Sequence, residues 1–301
     1  MKITKLHNDE IDITIPLVKT LLKSQFPHWA HFDLQLILPE GTDNVMYKLG
    51  NDLVVRIPRT ESSSQNIAKE CEWLPKLAPQ LSLPIPSPTG IGKASAHFPY
   101  PWLICDYLEG INLNTESSEN FLNDELAARD LGHFVLSMQN IDASNVPIWN
   151  RGMPLKMRDE VTKKCIPQMS EWYDVNLLAQ LWEKSLEAPA WNGTNKLTHG
   201  DLHAGNLLVK DGRISAVVDF GLLGAGDPAV DLMVAWAVLS KETRGIFRSI
   251  VKPDEATWLR AKGWALTMGI VAYPYYKDTN PALAKAAKRA LDEVLLDEKI
   301  K

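Results

Sequence analysis

Residues 198–221 read Thr-His-Gly-Asp-Leu-His-Ala-Gly-Asn-Leu-Leu-Val-Lys-Asp-Gly-Arg-Ile-Ser-Ala-Val-Val-Asp-Phe-Gly, and no other stretch of the chain leaves so little choice of fold. A His-Gly-Asp turn ends at Asp201. Asn206 follows five residues later, and Asp219 opens an Asp-Phe-Gly sequence after an apolar run. Between them two short β-like runs flank Lys210-Asp211-Gly212-Arg213, a set of residues suited to a tight hairpin turn. Gly200 and Gly205 permit tight backbone turns just before Asp201 and Asn206. One hairpin therefore carries two carboxylates and an amide.

The regions around that hairpin differ in character. Apolar residues recur at helical spacing from Ile15 to Phe26, with Pro16 tolerated in the first turn. Three β-like runs follow at Phe32–Leu38, Val45–Leu49 and Leu53–Ile57, joined by Gly41-Thr42-Asp43-Asn44 and Gly50-Asn51-Asp52, which are hairpin turn residues. Gln65–Leu77 reads as an amphipathic helix with Pro75 ending or kinking its last turn. Leu83–Pro88 is extended or irregular, and Gly90–Gly92 and Trp102–Tyr107 are two more strands. Residues 1–108 thus form an expected antiparallel sheet lobe with one key helix. Beyond Glu109-Gly110, helical spacing dominates at Leu122–Asn140, Asn176–Glu187, Pro228–Leu239, Asp254–Ala272 and Pro281–Leu296. The expected fold is α+β and bilobal, with residues 109–301 as a mainly helical second lobe. The boundary is an expected hinge, and clefts between lobes are common ligand sites.

Composition excludes several classes. The 301 residues suffice for two lobes with their own cores, and 45% hydrophobic with 23% charged residues is ordinary globular usage. No apolar run reaches the roughly 18–20 residues of a membrane span, and the first residues lack an apolar signal region; the expectation is a cytoplasmic protein without a membrane partner. Cys71, Cys105 and Cys165 are widely spaced and odd in number, against a disulfide framework or a metal knuckle. A net charge of −5 and no Lys/Arg cluster argue against a nucleic-acid partner, and such mild acidity is compatible with a cationic substrate. No internal repeat or low-complexity segment is present.

The hairpin's residues have the chemistry of phosphoryl transfer from a nucleotide. That reaction is mostly positioning and charge stabilisation. Asp201 suits the group that orients the attacking hydroxyl and accepts its proton. Asn206 and Asp219 supply amide and carboxylate oxygens for Mg²⁺, a hard cation. His199 is expected to brace the loop through hydrogen bonds. His203 stands where protein kinases carry a Lys that touches the γ-phosphate, so charge stabilisation and loop packing are both open to it. In the first lobe, Arg56 ends the third strand and can reach the α/β-phosphates, with Glu70 on the next helix to fix its direction. Thr42 and Asn44, in the first turn, offer donors above the phosphates, although this turn has one glycine and not the Gly-x-Gly-x-x-Gly pattern. The Asp106 carbonyl and Leu108 amide are the expected partners of a purine edge, with Cys105 behind the base.

These residues resemble the aminoglycoside phosphotransferase family, in the protein-kinase-like superfamily of small-molecule kinases. The likeness runs from about Glu40 to the last helices and rests above all on Leu197–Val209 and Val217–Leu232, the second containing Gly-Asp-Pro-x-x-Asp-Leu. By that resemblance Asp201 is the catalytic base, Asn206 and Asp219 bind magnesium, Arg56 anchors phosphate and Glu70 is its partner. Arg replaces the usual Lys of protein kinases, which changes the geometry. Asp227 is expected to shape its loop and Asp231 to anchor a helix start, near the substrate. Pro228 follows Asp219 too closely for a peptide-docking activation segment, so the implied partners are a nucleotide, ATP or GTP, and a small hydroxyl-bearing molecule. The family implies an aminoglycoside-like or macrolide-like antibiotic or a metabolite alcohol. A choline-, homoserine- or fructosamine-type kinase is the alternative within enzymes, and a catalytically inactive nucleotide-binding regulatory module is the alternative outside them. Trp172, Tyr173, Trp236, Trp264, Tyr273 and Tyr276 either line the acceptor pocket or fill the core.

Overall fold

The computed structural model describes residues 11–38, 43–115, 122–148 and 150–298, and the fold is α+β. The chain divides into two units between Glu109 and Gly110, with Leu81–Leu83 belonging to the second.

The first unit is built on an antiparallel sheet of β1 (Leu34–Leu36), β2 (Asn44–Leu49), β3 (Leu53–Pro58), β4 (Pro88–Gly92) and β5 (Trp102–Asp106), in the order β1-β2-β3-β5-β4. Its two faces follow from the period-two alternation of strands. Val45, Tyr47, Leu49, Val55, Ile57 and Ile104 point to one side. There they form a core with Val18, Leu21 and Leu22, which recur at helical spacing along α1 (Ile15–Gln25). Arg56, between Val55 and Ile57, must point to the other side, where Leu103 and Cys105 pack with Ile67 of α2 (Glu61–Leu77). The expected strand Phe32–Leu38 is shorter because the Phe32 amide closes a turn onto the Trp29 carbonyl (3.1 Å). Helix α2 starts four residues before the expected Gln65. Thr60 caps it by accepting from the Ser63 amide (3.3 Å), and the run Ser62-Ser63-Ser64 hides that first turn from a propensity reading. Pro75 lies inside the helix and does not end it.

The second unit begins with β6 (Ile111–Asn112), α3 (Asp124–Asn140), α4 (Asp159–Cys165), α5 (Val175–Leu186) and β7 (Lys196–Thr198). The hairpin of β8 (Leu207–Lys210) and β9 (Arg213–Val217) comes next, with β6 on its edge. Then come β10 (Gly224–Gly226), paired with β7, and α6 (Ala229–Leu232), α7 (Val234–Ala237), α8 (Lys241–Val251), α9 (Glu255–Tyr276) and α10 (Pro281–Leu296). Helix α9 is the hub. It buries Ala261, Trp264, Ala265, Leu266 and Ile270 and packs against α4, α5, α6 and α10. The helix expected over Pro228–Leu239 breaks at Met233, where an i→i+3 bond from the Met233 amide to the Val230 carbonyl (3.4 Å) tightens the turn. Helix α8 was not expected. Its Lys241, Glu242, Arg244 and Arg248 obscure the apolar face of Phe247 and Val251, and Arg244 is itself buried between Glu293, Asp297 and the Ala235 carbonyl. Among the described residues no helix is long and apolar enough to cross a membrane.

Two backbone hydrogen bonds within this unit help to hold β10 in place. The Ala225 amide donates to the Pro147 carbonyl (3.0 Å) and the Asp227 amide to the Gly152 carbonyl (3.1 Å). Gly226 is needed there because a Cβ would lie 2.2 Å from the Gly152 carbonyl oxygen. Gly226→Ala is expected to cost about 1–3 kcal/mol or more by overpacking against backbone that cannot yield. Gly245→Ala, in α8 with nothing within 4 Å of the new methyl, is expected to gain about 0.5–1 kcal/mol. Denaturant unfolding of the two variants checks the opposite signs.

Candidate active site

The loop from Thr198 to Asn206 is held by a buried carboxylate. Asp231 of α6 is 2% exposed. Its Oδ2 accepts from the His199 amide (2.7 Å) and its Oδ1 from the Gly200 amide (2.8 Å). The expected helix-start role for Asp231 is therefore corrected: its carboxylate serves two loop amides and none in its own helix. The reason is topological, since α6 starts just after β10, which pairs with the strand that feeds the loop. Burial pushes the Asp231 carboxyl up to about 7, against the two amides that favour its charged form. Gly200 is obligatory in this loop. Its φ is +82°, and a Cβ would meet the Leu222 carbonyl oxygen at 2.7 Å. Gly205 owes its place to something else, because an added Cβ would lie 2.7 Å from the His203 ring.

The fully buried His199 ring braces the loop from inside. Nδ1 accepts from the Asp201 amide (3.2 Å), which leaves Nε2 as the donor to the Val218 carbonyl (3.1 Å). Phe220 packs edge-on against the same ring, 4.6 Å between centroids. Burial lowers the pKa of this histidine and keeps it neutral, the form that can accept and donate at once.

Asp201 emerges from this brace with its side chain 26% exposed. His203 Nε2 stands 3.4 Å from Oδ2 and Arg151 Nη2 stands 3.8 Å from Oδ1. Burial pushes its pKa up, but His203 first, then Arg151 and His199, outweigh it and hold the carboxyl well below the usual carboxylate range. The group is therefore ionised at neutral pH. For His203, burial opposes charge, yet the Asp201 carboxylate raises its pKa on balance. Its Nδ1 accepts from the Gly205 amide (3.0 Å), so the ring also packs the loop.

Asn206 and Asp219 are brought together by the hairpin. The Val218 amide donates to the Asn206 carbonyl (2.9 Å), which sets Asp219 beside Asn206 in the fold. Asn206 Nδ2 donates to the Asp201 carbonyl (2.9 Å) and lies 3.3 Å from Asp201 Oδ2, so its amide oxygen faces away. Asp219 has φ +64°, a left-handed conformation that costs a non-glycine residue about 1–3 kcal/mol. Its Oδ1 accepts from the Gly221 amide (3.3 Å), and Oδ2 takes no hydrogen bond among the described residues. One free amide oxygen and one free carboxylate oxygen suit a hard divalent cation such as Mg²⁺.

Asp227 shapes its loop as the sequence suggests. It accepts from the Ala229 amide (3.0 Å) and takes a two-point bond from Arg260 of α9 (2.7 and 3.1 Å). Trp236 and Trp264 are core residues, fully buried. Trp172 and Tyr273 pack edge-to-face, and Tyr173 donates to Asp292 (2.9 Å).

In the first unit, Arg56 forks onto Glu70, with Nη1 to Oε2 at 2.9 Å and Nη2 to Oε1 at 3.4 Å. Glu70 is 1% exposed, on the same face of α2 as Ile67 and Leu74, so it is no solvated surface acid. Cys105 is buried on the neighbouring strand, its thiol pushed up to about 12 by that burial. The Asp106 amide is committed to the Ser87 carbonyl (3.1 Å), whereas the Leu108 amide has no hydrogen-bond partner among the described residues. Asn44 is the first residue of β2, opposite Pro58; Thr42 lies outside the described residues. Arg151 was not anticipated. Nothing in its local sequence marks it, because the backbone contact between Gly152 and Asp227 is what carries it to Asp201.

A model of the phosphotransferase enzyme family matches residues 35–264, most of the chain. The protein belongs to that family and is a phosphotransferase. No curated protein shows a significant match to the sequence. Solved structures that resemble it include wild-type aminoglycoside 2'-phosphotransferase-IIIa in complex with GDP, with 16% identity over 97% of this chain and 100% of the other at a TM-score of 0.72. Macrolide 2'-phosphotransferase MphH from Brachybacterium faecium shares 22% identity over 92% and 97%, with a TM-score of 0.61. The streptomycin–ATP ternary complex of APH(2")-IIa shares 17% over 94% and 97%, with a TM-score of 0.61. At such identities the likeness is one of fold.

The raised Asp231 carboxyl gives a signed pH test. Between its ordinary value of 3.8 and about 7 the folded chain holds a proton that the unfolded chain has released. Its contribution to stability is thus greatest near pH 4 and falls as pH rises to about 7. Asp201, with a depressed value, acts with the opposite sign and only below its ordinary 3.8. Asp231→Asn removes the titration and turns an amide donor toward a loop N–H. The stability gap between wild type and variant, measured by denaturant unfolding, is expected to narrow as pH rises from about 4 to about 7; a gap that widens contradicts the assignment.

Proposed function

We propose that this phosphotransferase moves the γ-phosphoryl group of ATP or GTP, with Mg²⁺, to a hydroxyl of a small molecule. The observation that carries the reading is an ionised Asp201 on a loop braced by Asp231 and His199, with free oxygens of Asn206 and Asp219 presented by the same hairpin.

Asp201 orients the acceptor hydroxyl and takes its proton. Such a weak base accepts late, after the hydroxyl oxygen has begun to bond to phosphorus and acidifies its own O–H. As that bond forms, the bond from phosphorus to the bridging oxygen breaks and the nucleoside diphosphate leaves. Asn206 and Asp219 would hold Mg²⁺, which when bound neutralises charge on the phosphate oxygens. His203, with Nδ1 taken by the Gly205 amide, turns Nε2 toward Asp201 and helps to orient it. Arg56, aimed by Glu70, anchors the α- and β-phosphates, Thr42 and Asn44 cover them, and the Asp106 carbonyl and Leu108 amide take the purine edge. The Arg56–Glu70 fork and the unused Leu108 amide support those roles.

Aminoglycoside-like and macrolide-like compounds, named in the neighbours' descriptions, are the first acceptors to consider. A hydroxylated metabolite of the homoserine type, which bears a carboxylate, is the second reading, favoured by the Arg151 cation 3.8 Å from Asp201. Labelled γ-phosphate from ATP and from GTP, offered with Mg²⁺ to a panel of both kinds, is the test. Transfer is expected, falling by about 10²–10⁴-fold in Asp201→Ala while nucleotide affinity is largely kept. Nucleotide binding with neither transfer nor hydrolysis would instead indicate an inactive regulatory module.

A further inference from the structure

The two oxygens of the Asp201 carboxylate have different neighbours. Oδ2 faces Asn206 Nδ2 (3.3 Å) and His203 Nε2 (3.4 Å), and both of those side chains are committed to the loop. Oδ1 takes no hydrogen bond among the described residues. It faces Arg151 Nη2 at 3.8 Å, an ion pair too long to be a hydrogen bond. Oδ1 is therefore the oxygen open to an acceptor hydroxyl, and a hydroxyl held there at about 2.7 Å lies beside the Arg151 guanidinium.

Backbone pairing carries Arg151 to this place. Residues 147–152 run along β10, where Ile148 bridges Ala225 in parallel and the Ala225 and Asp227 amides donate to the Pro147 and Gly152 carbonyls. A Cβ on Gly152 would come within 2.4 Å of the Ala225 carbonyl oxygen, so the two backbones touch. Arg151 itself packs on the catalytic loop. A Cβ on Gly200 would meet the Arg151 Cβ at 3.1 Å, and the guanidinium lies 5.9 Å from the centroid of the Trp264 ring. Ile148 is 57% exposed, so apolar burial by that side chain does not explain the pairing. Arg151 makes no hydrogen bond among the described residues. Asp201 balances its charge, while its N–H donors stay unused.

Phosphoryl transfer needs donors aimed at the oxygens of the group in flight. The loop position at which protein kinases carry a lysine for this purpose holds His203, whose Nδ1 is taken by the Gly205 amide. Arg151 brings a permanent cation to the same carboxylate from another part of the chain. We infer that Arg151 is a catalytic residue of the transfer step, donating to oxygens of the phosphoryl group as it passes to the acceptor hydroxyl at Asp201. This rests on the phosphotransferase reading of the same site, and it uses Arg151 whichever acceptor is bound. The acceptor oxygen bonds to phosphorus. The bond from phosphorus to the bridging oxygen breaks, and its electrons leave on the nucleoside diphosphate. The hydroxyl proton goes to Asp201 Oδ1, which leaves Arg151 facing the new phosphate ester.

Aluminium fluoride, a mimic of the phosphoryl group in flight, tests this by binding as well as by turnover. Calorimetry would follow Mg²⁺ with ADP or GDP on the full chain, with and without aluminium fluoride, alone and with kanamycin, a macrolide or homoserine added. In wild type, fluoride is expected to tighten diphosphate binding about a hundredfold or more in at least one mixture. Arg151→Met should cut that tightening about tenfold or more and leave fluoride-free affinity within about twofold. Arg151→Lys should recover part of it, because lysine keeps the charge without the fork. Both variants should melt within a few degrees of wild type, since a partly exposed ion pair adds little stability. Equal tightening in wild type and Arg151→Met, or an equal loss of fluoride-free affinity, overturns the inference and leaves the phosphotransferase reading standing. Diphosphate that binds wild type with no tightening in any mixture also overturns it. Phosphoryl transfer by the same protein then decides separately whether the phosphotransferase reading survives.

Discussion

Two hydrogen bonds from one buried carboxylate fix the loop on which the chemistry depends. Asp231 bridges the amides of His199 and Gly200, and every other contact of the loop builds outward from that point. His199 can reach both the Asp201 amide and the Val218 carbonyl only because its backbone is held. Val218 in turn ties to Asn206, which closes a circuit from α6 through the loop to the hairpin and back. Such a fully engaged polar network in the interior is rigid in the way a positioned acid–base group requires. It also carries a cost, visible in the raised Asp231 carboxyl and in the left-handed backbone of Asp219.

The charges around Asp201 follow a simple logic. A carboxylate flanked by His203 and Arg151 stays ionised, so it is a weak base and a strong orienting group. That suits phosphoryl transfer, in which the hydroxyl proton leaves late and most of the barrier concerns alignment and negative charge on the phosphoryl oxygens.

Much of the fold is legible in the sequence. The strands of the first sheet, and helices such as α1 and α10, announce themselves in two ways: β2, α1 and α10 by the period of one buried face, and β3 and β5 by short apolar runs buried on both faces between turn residues. Asp201, Asn206 and Asp219 are legible because their spacing is local: one loop and one hairpin set their geometry. Helix α8 is hidden because its buried face includes Arg244, whose partners lie far along the chain. Strand β10 is Gly-Ala-Gly, with no side chain to signal a strand. Glu70 lies between charged neighbours, yet the strand-then-helix order suggests it as the partner of Arg56, and its burial in a fork with Arg56 agrees. Arg151 and the true role of Asp231 are illegible for one common reason. Each acts through a contact made by tertiary packing, between segments that carry no mark of each other.

Amide hydrogen exchange at His199 and Gly200, compared between wild type and Asp231→Ala, tests the anchoring of the loop most directly. Strong protection of both amides in wild type is expected, lost in the variant together with phosphoryl transfer, while α9 keeps its protection. Equal protection of the two amides in both proteins would show that the loop is held by something other than Asp231 and would contradict its role as the anchor.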